Sequence, residues 1–365
     1  MKVLSKAANV ILMLFSVFVC LFFVEIFLRD FYPQILELKI NYEWRADDEI
    51  LPYVPRSSYS GRMVLKNQFD VGMNINPSGF RGKENISHEK VQGEFRAAFI
   101  GDSFTFGWGV EDEEAYPFLF GKALEKLNPA GKVTIINAAV YGYDIVQYTE
   151  VFKRVLKYSP DVIFLGFCLE NDLNITPLKG SAGEVKEGVR IEKKDLAFHV
   201  REFINRLHLV TMVRDRLYIT FPSIRNLMLA SGINNKRDIF LEEYTDALKN
   251  SCNEAEKILV KMSREAKEKG IDFAVVLIPL REQIYCREEL NKFPGYNVDR
   301  PNEVLSDMLE RNGIACIDLL PEMVKESNIS GKRLYFDIDP HWTRRGHSVA
   351  SKILEKEYLR VSEIR

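Results

Sequence analysis

From Ala7 to Leu28 the chain is apolar at nearly every position, AANVILMLFSVFVCLFFVEIFL, interrupted by Asn9, Ser16 and Glu25. As a helix, a run of this length spans roughly 33 Å, enough to cross a bilayer. Lys2 and Lys6 precede it and Arg29 follows it, a modest bias that keeps the amino terminus in the cytoplasm. The residues that follow, Glu25-Ile26-Phe27-Leu28-Arg29-Asp30-Phe31, offer no small-residue cleavage site. The pattern reads as an uncleaved transmembrane anchor over residues 1–30. A cleaved signal lacks its site, and a buried hairpin helix would not be so uniformly apolar. The rest of the chain is then expected outside the cytoplasmic membrane, periplasmic or extracellular.

Residues 31–94 are mixed, with Pro33, Pro52, Pro55 and Pro77, and read as an irregular membrane-proximal extension. Beyond them the pattern alternates. Arg96–Ile100, Val133–Ile136, Asp161–Cys168, Ile271–Ile278 and Ile314–Leu319 are short apolar runs that read as buried strands. Between and after them, helical spacing predicts helices over Tyr116–Leu127, Ile145–Tyr158, Leu241–Lys269 and Val304–Arg311, and from a Thr343 cap to about Tyr358. Strands separated by helices make a parallel sheet covered on both faces. Residues 95–365 thus read as one α/β domain, with an insertion at about 175–240 that breaks the rhythm. The amphipathic piece from Phe198 to Tyr218 within it is expected to cover the site or face the membrane.

Composition narrows the function. Of 365 residues, 46% are apolar and 28% charged, and the net charge is −2, so a basic nucleic-acid surface is not indicated. Five cysteines with no CxxC pair argue against a disulfide scaffold and the usual zinc frameworks. Cys168, Cys252, Cys286 and Cys316 would allow three pairings, but Cys168 and Cys316 lie in apolar strand-like runs, which favours buried free thiols. Only His88, His199, His208, His341 and His347 are available to a histidine-dependent mechanism.

In open parallel sheets the ligand lies beyond the carboxyl ends of the strands. There the sequence places Gly101-Asp102-Ser103-Phe104-Thr105-Phe106-Gly107, then Asn137-Ala-Ala-Val-Tyr-Gly142, then Leu169-Glu170-Asn171-Asp172, and lastly Asp337-Ile338-Asp339-Pro340-His341-Trp342. A hydroxyl nucleophile, a glycine, a side-chain amide and an acid–histidine pair are the parts needed for acyl transfer. An α/β-hydrolase elbow would need glycine where Thr105 stands. A phosphate-binding loop would need a lysine that is absent between Gly101 and Gly107. Asp337, Asp339, His341 and His347 have no further ligand cluster near Ser103 to complete a metal site. No metal and no cofactor are assigned.

FIGDSFTFG, NAAVYGYD, LENDL and DPHW resemble, in order, the four blocks of the SGNH (GDSL-type) hydrolases and acyltransferases, from Arg96 to the C-terminus. The resemblance implies a flavodoxin-like three-layer α/β/α sandwich with a five-stranded parallel sheet in the order 2-1-3-4-5. It assigns Ser103 as nucleophile and His341 as base. The N–H groups of Ser103 and Gly142 and the side chain of Asn171 would form the oxyanion hole. The usual D-x-x-H spacing would put the acid at Ile338. The spacing here is D-x-H, similar to membrane-linked members that act on polysaccharide acyl groups, and makes Asp339 the acid, with Asp337 second. Asp102 is expected to bond backbone in its turn, and Trp342 to pack under the site and fix the ring of His341. The implied activity is hydrolysis of small acyl esters, O-acetyl above all, on a glycan. Transfer of the acyl group to an exported polysaccharide by the same residues is one alternative, and a non-catalytic glycan-binding or assembly subunit another. No nucleic acid is expected as a partner, and none among proteins is indicated.

Overall fold

The computed structural model describes residues 2–32, 44–65, 68–127, 129, 131–169, 171–173, 184–186, 189–191, 203–204, 207–221, 238–330, 333–337 and 339–362. Glu170, His199 and Ile338, much of the 175–240 insertion and the start of its amphipathic piece lie outside the described residues. The chain divides into two compact units. One comprises Met1–Ile40 with Lys193–Asn234, the other Asn41–Glu192 with Asn235–Arg365.

The first unit contains α1 (Lys2–Phe31), whose stretch Asn9–Phe31 has a mean hydropathy of 2.8 and is long and apolar enough to cross a membrane.

In the second unit, two antiparallel hairpins come first: β1 (Arg45–Ala46) with β2 (Val54–Pro55), and β3 (Tyr59–Leu65) with β4 (Phe69–Ile75). The expected irregular extension therefore carries regular structure. Along β4, Phe69, Val71, Met73 and Ile75 are buried in alternation, the period-two pattern of a strand covered on one face.

The sheet follows. Its five strands are β5 (Glu94–Ile100), β6 (Lys132–Asn137), β7 (Val162–Cys168), β10 (Asp272–Ile278) and β11 (Ala315–Asp318), and all their pairings are parallel. They lie in the order β11-β10-β7-β5-β6, which numbered along the chain is 2-1-3-4-5. β7 is buried at every position and β10 at all but its first, as expected of strands covered on both faces. A small hairpin, β8 (Glu184–Lys186) with β9 (Val189–Ile191), follows β7.

The helices are α2 (Ser103–Phe106), α3 (Tyr116–Leu127), α4 (Ile145–Leu156), α5 (His208–Thr220, in the first unit), α6 (Asp246–Glu268), α7 (Arg281–Tyr285), α8 (Arg287–Asn291), α9 (Arg300–Arg311), α10 (Leu320–Ser330) and α11 (Arg344–Ser362). The long charged helix begins later than its pattern suggests, because the Thr245 side chain accepts the Leu248 N–H and caps α6. Behind the first and third strands, Phe99, Phe120 and Phe164 pack ring on ring with centroids 5.1–5.9 Å apart. This core packs against the carboxyl end of β5, just before Ser103, and the middle of β7.

Candidate active site

Ser103 is delivered by the turn out of β5. Gly101 and Asp102 reverse the chain, and Ser103 is the first residue of α2. The Asp102 carboxylate accepts the Phe104 N–H at 2.9 Å, the structural role expected of it. Gly107, at φ 88°, closes α2 in the left-handed conformation. This short helix is pressed onto the sheet. The Thr105 side chain fills the space a Cβ would need on Gly101 or on Gly166 of β7, and its hydroxyl pairs with Tyr116 Oη at 3.0 Å.

His341 and Asp339 come from a tight loop ahead of α11. Tyr335 bridges Trp342, the Phe336 N–H donates to the His341 carbonyl at 3.0 Å, and the Thr343 N–H donates to the Leu334 carbonyl at 2.8 Å. The loop brings both residues to Ser103, 238 residues away in sequence. Ser103 Oγ lies 2.6 Å from His341 Nε2, and His341 Nδ1 lies 2.6 Å from Asp339 Oδ1. The backbone N–H of His341 donates to the same Asp339 oxygen at 2.9 Å. The three residues are only 6%, 7% and 3% exposed for Ser103, His341 and Asp339, so water competes little for these bonds.

The protons follow from these contacts. Burial pushes the Asp339 carboxyl up, but the charge of His341 and hydrogen bonds from His341 and Trp108 outweigh it, holding the group below the usual carboxylate range. An ionised carboxylate can only accept. In the neutral imidazole Nδ1 therefore carries the hydrogen and donates to Asp339, which leaves the Nε2 lone pair facing the Ser103 hydroxyl. Asp337, by contrast, is 65% exposed and pairs with Arg333 at 2.9 Å.

Gly142 has φ 79°, the left-handed region that favours glycine. A Cβ there would lie 2.9 Å from Tyr53 Oη. Tyr53 Oη donates to the Tyr141 carbonyl at 2.6 Å, and the Asn171 amide donates to the Tyr143 carbonyl. Asn171 is thereby tied to the Gly142 turn. Among the described residues, no hydrogen-bond acceptor is found for the backbone N–H of Ser103 or of Gly142.

Three features have no counterpart in the sequence reading. The rings nearest the His341 imidazole belong to Phe104, Tyr141 and Trp108, at centroid distances of 5.0, 5.9 and 6.3 Å. Trp342, expected to fix the imidazole, instead packs behind Phe104 at 5.0 Å and against His347 at 5.4 Å.

Second, fully buried Arg81 clamps the loop after α2. It bonds Asp112 Oδ1 at 2.5 Å and the carbonyls of Phe106, Gly107 and Val110 at 3.3, 3.2 and 2.9 Å. Third, Asp102 and Asp172 are both buried, one beside Ser103 in sequence and the other just past the end of β7, and the charge of Asp102 is felt at Asp172. Burial pushes Asp102 up to about 6, and burial together with the charge of Asp102 raises Asp172 well above its usual range. Asp172 also accepts the Cys168 N–H at 2.7 Å.

Two further histidines of the second unit, His347 and His88, make other contacts. His347 is fully buried, accepts the Tyr116 N–H at 3.3 Å and is pushed down to about 3 by burial, with the charges of Arg81 and His341 adding to it. His88 stacks on Tyr158 at 4.2 Å.

The family model of the GDSL-like lipase/acylhydrolase family matches residues 99–349. No curated protein matches the chain. Among solved structures, the chain is similar to an acetyl xylan esterase at 14% identity, covering 72% of this chain and 99% of that one, with a TM-score of 0.42. It is also similar to an acetylxylan esterase of Geobacillus stearothermophilus, at 14% identity over 74% of this chain and 96% of that one, with a TM-score of 0.40. A third is a two-domain esterase active on acetylated mannans, at 12% identity over 75% of this chain and 51% of that one, with a TM-score of 0.42.

Proposed function

This chain belongs to the GDSL-like lipase/acylhydrolase family and is an SGNH-type ester hydrolase, and from that premise we propose that Ser103, His341 and Asp339 are its catalytic triad. We further propose that it removes small acyl groups, O-acetyl above all, from glycans outside the membrane to which α1 anchors it. The observation that carries the triad is the unbroken chain of contacts from Ser103 Oγ through both ring nitrogens of His341 to Asp339, 2.6 Å at each step.

The steps follow from the atoms. His341 Nε2 takes the Ser103 proton as Oγ attacks the ester carbonyl, and the imidazolium so formed is stabilised by Asp339 through Nδ1–H. The negative charge that develops on the carbonyl oxygen is met by the N–H groups of Ser103 and Gly142 and by the Asn171 amide. His341 gives this proton to the sugar oxygen as the acyl C–O bond breaks, so the sugar leaves as an alcohol and an acyl-serine remains. Water activated by the same Nε2 then cleaves it and restores Ser103. The aromatic rings of Phe104, Tyr141 and Trp108 wall the imidazole, which limits solvent around the ion pair while it exists.

The glycan reading is supported by the membrane-crossing length of α1 and by the D-x-H-W form of the last block. p-Nitrophenyl acetate turnover that is lost in Ser103→Ala, together with acetate release from an acetylated polysaccharide, tests the proposal. Turnover that survives in Ser103→Ala would reject the nucleophile, and release from the chromogenic ester alone would reject the glycan. Retention of the full chain in membranes through an alkaline wash tests the anchor, and a mature chain lacking the first thirty residues would reject it.

A further inference from the structure

Glu25 is the sole charged residue in the Ala7–Leu28 run. A carboxylate among apolar side chains needs partners to keep its charge. Glu25 has three. Its Oε1 accepts the His208 N–H at 3.0 Å and Arg29 Nε–H at 2.9 Å, and its Oε2 accepts the Leu209 N–H at 2.9 Å.

The two amides are the first of α5. A helix start leaves four N–H groups without intrahelical acceptors and carries partial positive charge. The residue at the capping position is Leu207, which has no side-chain oxygen to offer. Glu25 does from another helix what a serine or aspartate does locally. Of the described side chains from Asn9 to Tyr32, only Glu25 and Leu28 are buried and Val19 is half-buried, so over this stretch α1 is covered mainly at one turn near its carboxyl end.

This contact sets a depth. Glu25 precedes Phe31, the end of the membrane-crossing stretch, by six residues of helix, roughly 9 Å. Helices that lie in the membrane interface bury their apolar face by roughly 5–10 Å. α5 has such a face. Val213, Leu217 and Phe221 follow at i, i+4 and i+8 and are 44%, 38% and 49% exposed, so they line one stripe. Phe203 and Ile204, 64% and 41% exposed, precede it.

We infer that α5 is an interfacial helix whose Val213–Leu217–Phe221 stripe rests among lipid acyl chains at the carboxyl end of α1, with Glu25 holding its start at that depth. The inference rests on the anchor reading above. It commits the stripe to a bilayer rather than to protein, because the same one-turn contact fastens α5 to a helix whose described side chains from Val10 to Phe27 are, Glu25 and Ser16 aside, apolar and mostly exposed.

The test uses the full chain in phosphatidylcholine vesicles with Leu217→Trp. Trp44, Trp108 and Trp342 are buried, and the wild-type protein supplies their emission as a baseline. The added emission is expected to be blue-shifted, to lose most of its intensity to lipids brominated high on the acyl chain, and to resist aqueous iodide. Glu25→Ala in the same background, which leaves both α5 amides without their acceptor, is expected to shift quenching toward iodide. Quenching of Leu217→Trp by iodide alone, or by neither agent, overturns the inference, and an unchanged pattern in Glu25→Ala overturns the part given to Glu25. Retention through an alkaline wash is scored in the same samples. Release of the protein would reject the anchor itself, whereas retention with iodide quenching rejects the α5 placement alone.

Discussion

Asp339→Asn separates the two things a triad carboxylate does, its charge and its choice of tautomer. One oxygen of Asp339 accepts both Nδ1–H and the backbone N–H of His341, at 2.6 and 2.9 Å. An asparagine that kept its carbonyl oxygen there would satisfy both donors, while a flipped amide would set its NH2 against both. The backbone N–H therefore selects the oxygen-in orientation, and the productive tautomer survives. What is lost is the charge. Imidazolium and carboxylate centres roughly 4 Å apart at an effective dielectric constant of about 20 attract by ~4 kcal/mol, which at about 1.4 kcal/mol per decade is a loss of about 10³ in kcat/KM. That is smaller than the ~10⁴ seen where the amide imposes the wrong tautomer. Asp337→Asn touches only an exposed ion pair of about 0–1 kcal/mol and is expected to leave kcat/KM nearly unchanged. Initial rates on p-nitrophenyl acetate, with thermal unfolding of each variant as the fold control, decide the matter. A loss below about tenfold in Asp339→Asn, where each 1.4 kcal/mol counts as a decade, would refute the role of the charge. A larger loss in Asp337→Asn than in Asp339→Asn would move the acid to position 337.

Asn171→Ala is expected to lower kcat by about 10²–10³ with little change in KM if the amide is an oxyanion donor; a drop in melting temperature with kcat intact would make it only a tie to the Tyr143 carbonyl. Asp112→Ala leaves the fully buried Arg81 guanidinium without its counter-charge and is expected to cost about 3–5 kcal/mol in urea unfolding; a cost under about 1 kcal/mol, the range of an exposed pair, would contradict it. Asp102 and Asp172 both have raised folded-state pKa values, so between the ordinary carboxylate value and the raised ones the folded chain binds more protons than the unfolded chain. Their contribution to stability therefore falls as pH rises through that window, from about 4 to about 6 for Asp102 and beyond for Asp172. Asp172→Asn, which keeps an acceptor for the Cys168 N–H, is expected to raise the melting temperature at about pH 8 relative to wild type and to flatten its dependence on pH, and an unchanged profile would count against a raised Asp172.

The sheet was legible because strands buried on both faces have nothing but apolar residues to display, as in Val162–Cys168 and Phe273–Ile278. The site was legible for a related reason. Ser103, Gly142, Asn171 and His341 each stand a few residues past an apolar run or in the last loop, where an open parallel sheet keeps its chemistry. Other features left no local trace. Phe69, Val71, Met73 and Ile75 alternate correctly for a strand, but Gly72 and the prolines and glycines around the two hairpins masked the period. The pairing of Arg81 with Asp112 spans 31 residues, and nothing near either residue predicts that one buries the charge of the other. Trp342 adjoins His341 in sequence, yet adjacent residues in an extended loop point apart. The rings that reach the imidazole come instead from Phe104 and Trp108 beside the nucleophile and from Tyr141 beside the glycine.

The two hairpins have a consequence for how the site is held. The blocks that carry Ser103 and Gly142 are loops, and a loop holds a catalytic group only as well as its surroundings hold the loop. Both are fastened by residues that lie ahead of the sheet. Arg81 gathers the carbonyls of Phe106, Gly107 and Val110, and so fixes the turn that carries Trp108 to Asp339 and His341. Tyr53 donates to the carbonyl of Tyr141 and accepts from the hydroxyl of Tyr143, gripping the glycine turn from both sides. Residues between the apolar helix and the sheet thus support at once the turn beyond Ser103 and the Gly142 turn, the proposed seats of the nucleophile and of an oxyanion donor. Among the described residues of this segment none is hydrogen-bonded to the Ser103 hydroxyl or to the imidazole, so its effect on catalysis is expected through the placement of those turns.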